Sequence, residues 1–392
     1  MGGSVLLPDL PAQYRHLYVH VPFCARRCSY CDFSIAIRRD VPVNEYVAAL
    51  RGELALRADA GELGSESVRP QLDTLYLGGG TPSRLGPDGV GQVLEVLRDF
   101  ARLNADAEVT LEANPEDIDI AAVRAWKQHG VNRLSIGIQS FDDRVLQWMH
   151  RVHDADAARR AVDAAREGGI DAFSLDLIFA VPAALARDWQ RDLDGVLALA
   201  PHHVSLYGLT IEGGTPLGRW HARGDVVESS EECYEEEFLR SHAALASAGF
   251  DHYEVSNFAL PGRRARHNSS YWRRVPYLGL GPSAHGFDGH RRRWNVAAYA
   301  AWQERVAHGA DPLGGIETLT PENRTAEAVY LGLRTTDGLE VAVHERHLLA
   351  RWFEAGWIEP VPDDPLRVRC TPTGWLRLDG LAADLTARRS HS

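Results

Sequence analysis

The sequence has no apolar run near the about 20 residues that a bilayer crossing requires, and no basic N-terminal stretch leading into an apolar segment. A membrane-spanning or secreted protein is therefore not expected, and the reading is a cytoplasmic chain, peripheral to a membrane at most. Cysteine is scarce: five residues, three of them within eight positions and Cys233 and Cys370 alone, which excludes a disulfide framework and fits a reducing compartment. Lysine occurs once, at Lys127, and a net charge of −12 withholds the basic surface that general nucleic-acid binding needs. The lysine shortage has a bland explanation in coding bias and carries no functional weight.

What is present is an ordinary globular balance, 45% apolar and 24% charged, in a chain of 392 residues, which is long enough for one large domain and one or two smaller ones. Six short apolar, β-branched runs, 16–21, 72–77, 108–111, 133–138, 173–178 and 203–209, alternate with longer segments of helical character such as 44–57 and 155–168, the last stopped by Gly168-Gly169. Repeated βα units predict parallel strands with right-handed crossovers. Distinctive residues follow the runs: Cys24, Cys28 and Cys31; Gly78-Gly79-Gly80; Glu112; Gln139; Thr210; Asp176 lies inside the fifth. Gathering of such residues at carboxyl strand ends favours a partial barrel over an open sheet.

After about residue 220 the alternation fades. The stretch 228–238 holds six glutamates, read as a solvated helix face rather than a metal site. Residues 261–294 hold eight arginines against one acid, Asp288. From about Thr318 a helical segment ends in 366–370 and 374–378, read as a small wing. Nine arginines against twelve acids in 316–392 disfavour a winged-helix DNA reader. The expected organisation is 1–220, the barrel; 221–315, an α+β extension; and 316–392, a winged-helix-like domain.

Cys24-Ala-Arg-Arg-Cys28-Ser-Tyr-Cys31 puts three thiolates in one loop after the first strand, a set able to ligate three irons of a [4Fe–4S] cubane and leave the fourth open. The competing zinc site, with His20 or a distant histidine as fourth ligand, fits poorly, because zinc ligands usually come as paired two-residue spacings. The motif resembles that of the radical S-adenosylmethionine superfamily. With YVHVPFC, LGGGTPS, EANPE, SIGIQSF, RVH, LDLI, RHNSSYW and LGLGPSAHG, the chain resembles the branch containing oxygen-independent coproporphyrinogen III oxidase (HemN) and the haem chaperone HemW, from Tyr18 to about Gly374.

The resemblance implies that Cys24, Cys28 and Cys31 hold the cluster and that Tyr18, Tyr30, Gly79, Gly80, Thr81, Glu112, Gln139, Arg151, Asp176 and Thr210 hold S-adenosylmethionine. Two departures from the oxidase, Cys31-Asp32-Phe33 without a further cysteine and about fifteen residues before the first strand, point to the chaperone side. There His267, Asn268, Tyr271 and Trp272 match an H-N-x-x-Y-W haem motif, with His285 a weaker second candidate. Histidine ligates haem iron, and Tyr and Trp offer flat apolar surface. Arg263, Arg264, Arg266, Arg273 and Arg274 are candidates for pairing with haem propionates. The implied function is delivery of haem by a dimer to acceptors such as respiratory enzymes or bacterioferritin, with a reductant serving the cluster. The alternatives are a radical enzyme, either coproporphyrinogen III oxidase or a methyl-transfer enzyme, and an iron–sulfur DNA-binding regulator.

Overall fold

A strand whose side chains alternate apolar and polar presents two chemically different faces. The computed structural model, which describes residues 14–63 and 69–390, forms six such strands: β1 (His16–Val21), β2 (Gln71–Gly79), β3 (Arg102–Ala113), β4 (Arg133–Gln139), β5 (Phe173–Phe179) and β6 (His203–Gly208). They lie side by side in chain order, and every neighbouring pair is parallel. The residues before Tyr14 lie outside the described residues.

One set of alternate positions, among them Leu17, Val19, Leu75, Leu77, Leu111, Ile136, Leu175 and Val204, belongs to the buried apolar core. Helices α1 (Val43–Asp59), α2 (Gly86–Phe100), α3 (Ile120–Gln128), α4 (Ala155–Gly168) and α5 (Trp189–Ala198) cover it, burying in turn Leu50, Val93, Trp126, Val162 and Leu193. Local chemistry sets their ends: Asp119 and Asp154 cap α3 and α4 by accepting from Ala122 N and Ala157 N, and Gly169, at φ 91°, stops α4 where the sequence predicted.

The other set is polar. His16, Thr74, Thr110, Arg133, Ser174, His203 and Ser205 are all buried, and the half-buried Tyr18, Tyr76, Glu112, Ser135 and Asp176 share their face. Parallel strands buried on both faces are usually apolar on both. Here the inner face is a polar lumen in which most polar groups pair with one another, Thr110 Oγ1 and Arg133 Nη2 being without a hydrogen-bond partner among the described residues.

The 221–315 segment extends this sheet at both edges. Tyr277–Leu280 pairs in parallel with β1, setting Gly279 beside Tyr18, and is followed by antiparallel strands at His285–Phe287, Arg291–Asn295 and Leu313–Thr318. Asn257–Ala259 pairs with β6 and then with Asp251–Glu254, completing a twelve-stranded sheet. The strand Leu313–Thr318 spans the boundary expected at 315.

Two expectations are corrected. Residues 374–378 form no wing strand: Thr371 accepts from Gly374 N at 3.1 Å ahead of Pro372, which starts helix Pro372–Trp375, and Asp364–Cys370 pairs instead with Ile358–Val361 and Leu339–Glu340. Nor is the glutamate helix, α6 (Glu231–Ser247), a wholly solvated acidic face. Glu237 turns inward, accepting from Ala180 N at 2.6 Å and pairing with Arg187 at 2.5 Å, which fixes the turn after β5.

Candidate functional site

The loop after β1 is closed at its base. Phe23–Cys24 pairs with Ala36–Ile37, Ala36 N donates to Pro22 O at 2.7 Å, and Arg38 N donates to Cys24 O at 3.0 Å. Further bonds tie the loop to the barrel rim, from Ser29 N to Met149 O at 3.1 Å and from Leu217 N to Ser29 O at 2.8 Å. Cys24, Cys28 and Cys31 carry free thiols, and all three line one cavity of about 440 Å³ at the carboxyl ends of the strands. Burial raises the Cys24 thiol pKa and takes Cys31 to about 11. Thiolates here need a cationic partner, which cluster irons supply, since a coordinated thiol is deprotonated outright. The donor set therefore fits a cluster held by three cysteines. His20 is already bonded at both ring nitrogens, to Tyr18 OH at 3.1 Å and Ser34 O at 3.0 Å.

The same cavity gathers Tyr30, Gly79, Gly80, Thr81, Glu112, Gln139, Arg151, Asp176 and Thr210. Tyr18 is not among its walls. It lies in the lumen, with its ring stacked 6.0 Å from Tyr76. The glycines have a packing reason as well as an open backbone: a Cβ on Gly79 would sit 2.6 Å from the His20 ring, and one on Gly80 would sit 2.7 Å from the Pro22 carbonyl.

Glu112 accepts from Tyr76 OH at 2.8 Å and Gly79 N at 2.9 Å, yet burial still pushes its pKa up to about 7. Asp176, likewise raised by burial, accepts from Ser135 at 2.8 Å and Ser174 at 3.1 Å. Arg151 donates to Asn114 Oδ1 at 2.7 Å and Gly137 O at 2.8 Å, and its Nη1 stands 3.6 Å from Cys28 Sγ. Its Nε is buried without a hydrogen-bond partner among the described residues. Gln139, at φ 72°, sits where the β4–β5 register shifts. Thr210 is exposed and bonds only weakly, to Gly208 O at 3.4 Å.

Asn114, Glu116 and Tyr207 also line the cavity and were not singled out from sequence. For Tyr207 the signal was present: His203, Ser205 and Tyr207 are alternate residues of β6, so they share a face.

The residues of the H-N-x-x-Y-W motif fall on a short helix, α7 (Arg266–Trp272), and point two ways. His267 is 1% exposed inside the lumen. Its Nδ1 bonds Thr74 Oγ1 at 2.7 Å, its Nε2 bonds Tyr271 OH at 2.7 Å, and its ring stacks 5.0 Å from Tyr76. Burial lowers its pKa to about 3. Trp272 instead lines a second cavity, of about 430 Å³, under the Arg334 guanidinium at 4.3 Å. Asn268 is half-buried, and His285 stacks on Trp294 at a strand edge.

The arginine excess is largely met by acids from elsewhere in the chain. Arg264 and Arg273 share Asp337, Arg266 reaches Asp106, Arg274 and Arg292 share Glu327, and Arg293 reaches Glu62 and Asp311.

The family model described as the radical SAM superfamily matches residues 18–196. Over 346 residues the chain is 36% identical to the haem chaperone HemW of Synechocystis sp., covering 86% of this chain and 80% of that one. Identity to HemW of Mycobacterium tuberculosis is 37% over 339 residues, 86% and 85% of the two chains. The mitochondrial radical S-adenosyl methionine domain-containing protein 1 of Bos taurus is 36% identical over 415 residues, 98% of this chain and 90% of that one. Among solved structures, coproporphyrinogen III oxidase (HemN) of Escherichia coli superimposes with a TM-score of 0.79 over 96% of this chain and 91% of that one, at 22% identity.

Proposed function

This chain belongs to the HemW family of the radical SAM superfamily, and from that premise we propose that it is a haem chaperone, binding a [4Fe–4S] cluster, S-adenosylmethionine and haem and delivering haem to acceptor haemoproteins. The observation that supports the cofactor part is the convergence of three free thiols, a glycine turn, two buried carboxylates and an arginine on one cavity. When bound, the cluster supplies an open iron for chelation and electrons for reducing the sulfonium. The chain's own residues supply the rest. Cys24, Cys28 and Cys31 would ligate iron. Gly79 and Gly80 would admit the methionyl group to the backbone, Glu112 would meet its ammonium, and Asp176 would accept from hydroxyls. Arg151 would offset thiolate charge near Cys28.

For haem, the reading rests on family membership and on His267, Asn268, Tyr271 and Trp272. His267 has both ring nitrogens bonded, so iron ligation by it requires release from Thr74 or Tyr271. Acceptors of the respiratory or storage type, action as a dimer and a cytoplasmic location belong to the same proposal. No helix among the described residues is long and apolar enough to cross a membrane. A second reading, oxidative decarboxylation of coproporphyrinogen III, draws on the completeness of the S-adenosylmethionine cavity, beyond what haem carriage alone demands.

One experiment separates the two. The cluster is reconstituted without oxygen, haem is titrated into wild type and His267→Ala while spectra are recorded, and the same sample is assayed for carboxyl loss from coproporphyrinogen III. Tight haem binding that weakens in the variant, without decarboxylation, is expected. Decarboxylation without stable haem binding would replace the chaperone with the oxidase.

A further inference from the structure

Strand β3 ends at Ala113, and Asn114 carries its alternation one step further. Pro115 disfavours a helical backbone in the residue before it, so Asn114 stays extended at φ −90° and ψ 147°. Two residues on from Glu112 its side chain faces the same way, and it lines the cavity of the three cysteines. Its neighbours fix which end of the amide is which. Oδ1 accepts from Arg151 Nη2 at 2.7 Å, and Nδ2 faces two oxygens, Thr81 Oγ1 at 3.4 Å and Glu116 Oε1 at 3.3 Å. Gly137 leaves room for the first of these bonds: a Cβ there would stand 3.4 Å from Arg151 Nη2 and 3.6 Å from Asn114 Oδ1.

Two of these partners go on to a cysteine. Thr81 Oγ1 lies 3.4 Å from Cys24 Sγ, and Arg151 Nη1 lies 3.6 Å from Cys28 Sγ. A ligating thiolate has no proton to give, so the hydroxyl is the donor to Cys24, and accepting from Asn114 leaves its own hydrogen free for that bond. Cys31 takes a bond from the Phe33 backbone N–H and stands outside this set. Reducing a cluster adds one negative charge, which donors on its ligand sulfurs stabilise, so such bonds are one lever on its potential. We propose that Asn114 is a positioning residue for the cluster: by holding Thr81 and Arg151 on the sulfurs of Cys24 and Cys28, it raises the cluster's reduction potential. The proposal rests on the three-cysteine reading of the site and is independent of haem. Control of electron entry then lies with a side chain that acts through two partners rather than on a sulfur itself.

The test uses the full chain, reconstituted without oxygen and kept free of S-adenosylmethionine, so that contacts to that ligand contribute nothing. Each protein is titrated with dithionite in the presence of redox mediators, the reduced cluster is counted by electron paramagnetic resonance, and iron and sulfide are assayed on the same sample. At a fixed potential Asn114→Leu and Asn114→Ser are expected to lower the ratio of reduced to oxidised cluster about tenfold, a fall of about 59 mV for one electron. Thr81→Val, which removes only the donor to Cys24, is expected to shift the same way by less, and Thr81→Ser, which keeps the hydroxyl, is expected to match wild type. A wild-type potential in an Asn114 variant that retains its cluster overturns the proposal and leaves the cofactor reading standing. If both Asn114 variants lose the cluster, Thr81→Val decides: a fall supports the proposal, and a potential equal to that of Thr81→Ser overturns it. If wild type itself assembles no cluster, the cofactor reading falls and takes the proposal with it.

Discussion

Glu112 carries the most distinctive titration among the residues of the cavity. Burial holds its pKa at about 7 against an ordinary 4.5. A folded-state pKa above the unfolded one means that the folded chain holds the proton more tightly. Its stabilising contribution is therefore full below about pH 4.5 and is lost as pH rises through about 7. Glu112→Gln removes that titration. The stability of wild type relative to this variant, measured by thermal unfolding of the metal-free chain, should fall between about pH 5 and pH 8 by up to about 3 kcal/mol. No difference in pH slope between the two would show that the carboxylate titrates normally. His267→Ala has a structural cost as well as any effect on haem, because it empties a buried ring site, takes the His267 partner from the Tyr271 hydroxyl and leaves Thr74 with His16 alone. A loss of about 2–4 kcal/mol in urea unfolding is expected, so haem data on this variant need a companion fold measurement.

Elements were legible where a period or a cap announced them. All six parallel strands fall on the runs read from sequence, and α4 spans the predicted residues 155–168. The strand Tyr277–Leu280 was not read: four residues with an internal glycine have no period to detect, and it is specified by β1, its distant neighbour. What locks it in place is equally distant. Glu53 of α1, fully buried, accepts from Gly281 N at 2.8 Å, Asn295 Nδ2 at 2.6 Å and Trp302 Nε1 at 2.9 Å, with Arg57 at 3.7 Å. In sequence it is one glutamate on an ordinary helix. Glu53→Ala strands three N–H donors in the interior, while Arg57 keeps Glu62 at 2.6 Å, and should cost about 3–5 kcal/mol, measured by denaturant unfolding. The polar lumen was missed because the strands were read as apolar runs, although HLYVHV, FSLDLIF and HVSLYG each alternate.

For the whole molecule, the chain was read as three regions; most of its buried apolar residues form one large connected cluster running from Leu17 through Val329 to Leu385, beside a smaller one from Val145 to Leu217. The C-terminal module is stitched to the sheet by Thr336 N donating to Tyr253 O at 3.0 Å, by Arg334 pairing with the buried Glu254 at 3.0 Å, and by Trp375 packing 4.3 Å from His252. Calorimetry should therefore show one cooperative transition for the barrel and the module; two separated peaks would show that these contacts are too weak to couple them. The cavity was legible at this scale because carboxyl strand ends converge on one rim. The division of the haem motif between the lumen and the second cavity was not, since a string of letters does not say which way a seven-residue helix faces.

The parallel pairing of β1 with Tyr277–Leu280 also sets a timetable. The cysteine loop leaves the ribosome before the strand that completes its surroundings: β1 keeps one edge unpaired until more than 250 residues have followed, on the order of tens of seconds of translation. Ser29 waits likewise for Leu217. During that interval three thiols stand on an unfinished rim, so loading of the cluster belongs after Tyr277–Leu280 has been made, and the nascent thiols are most open to oxidation before then.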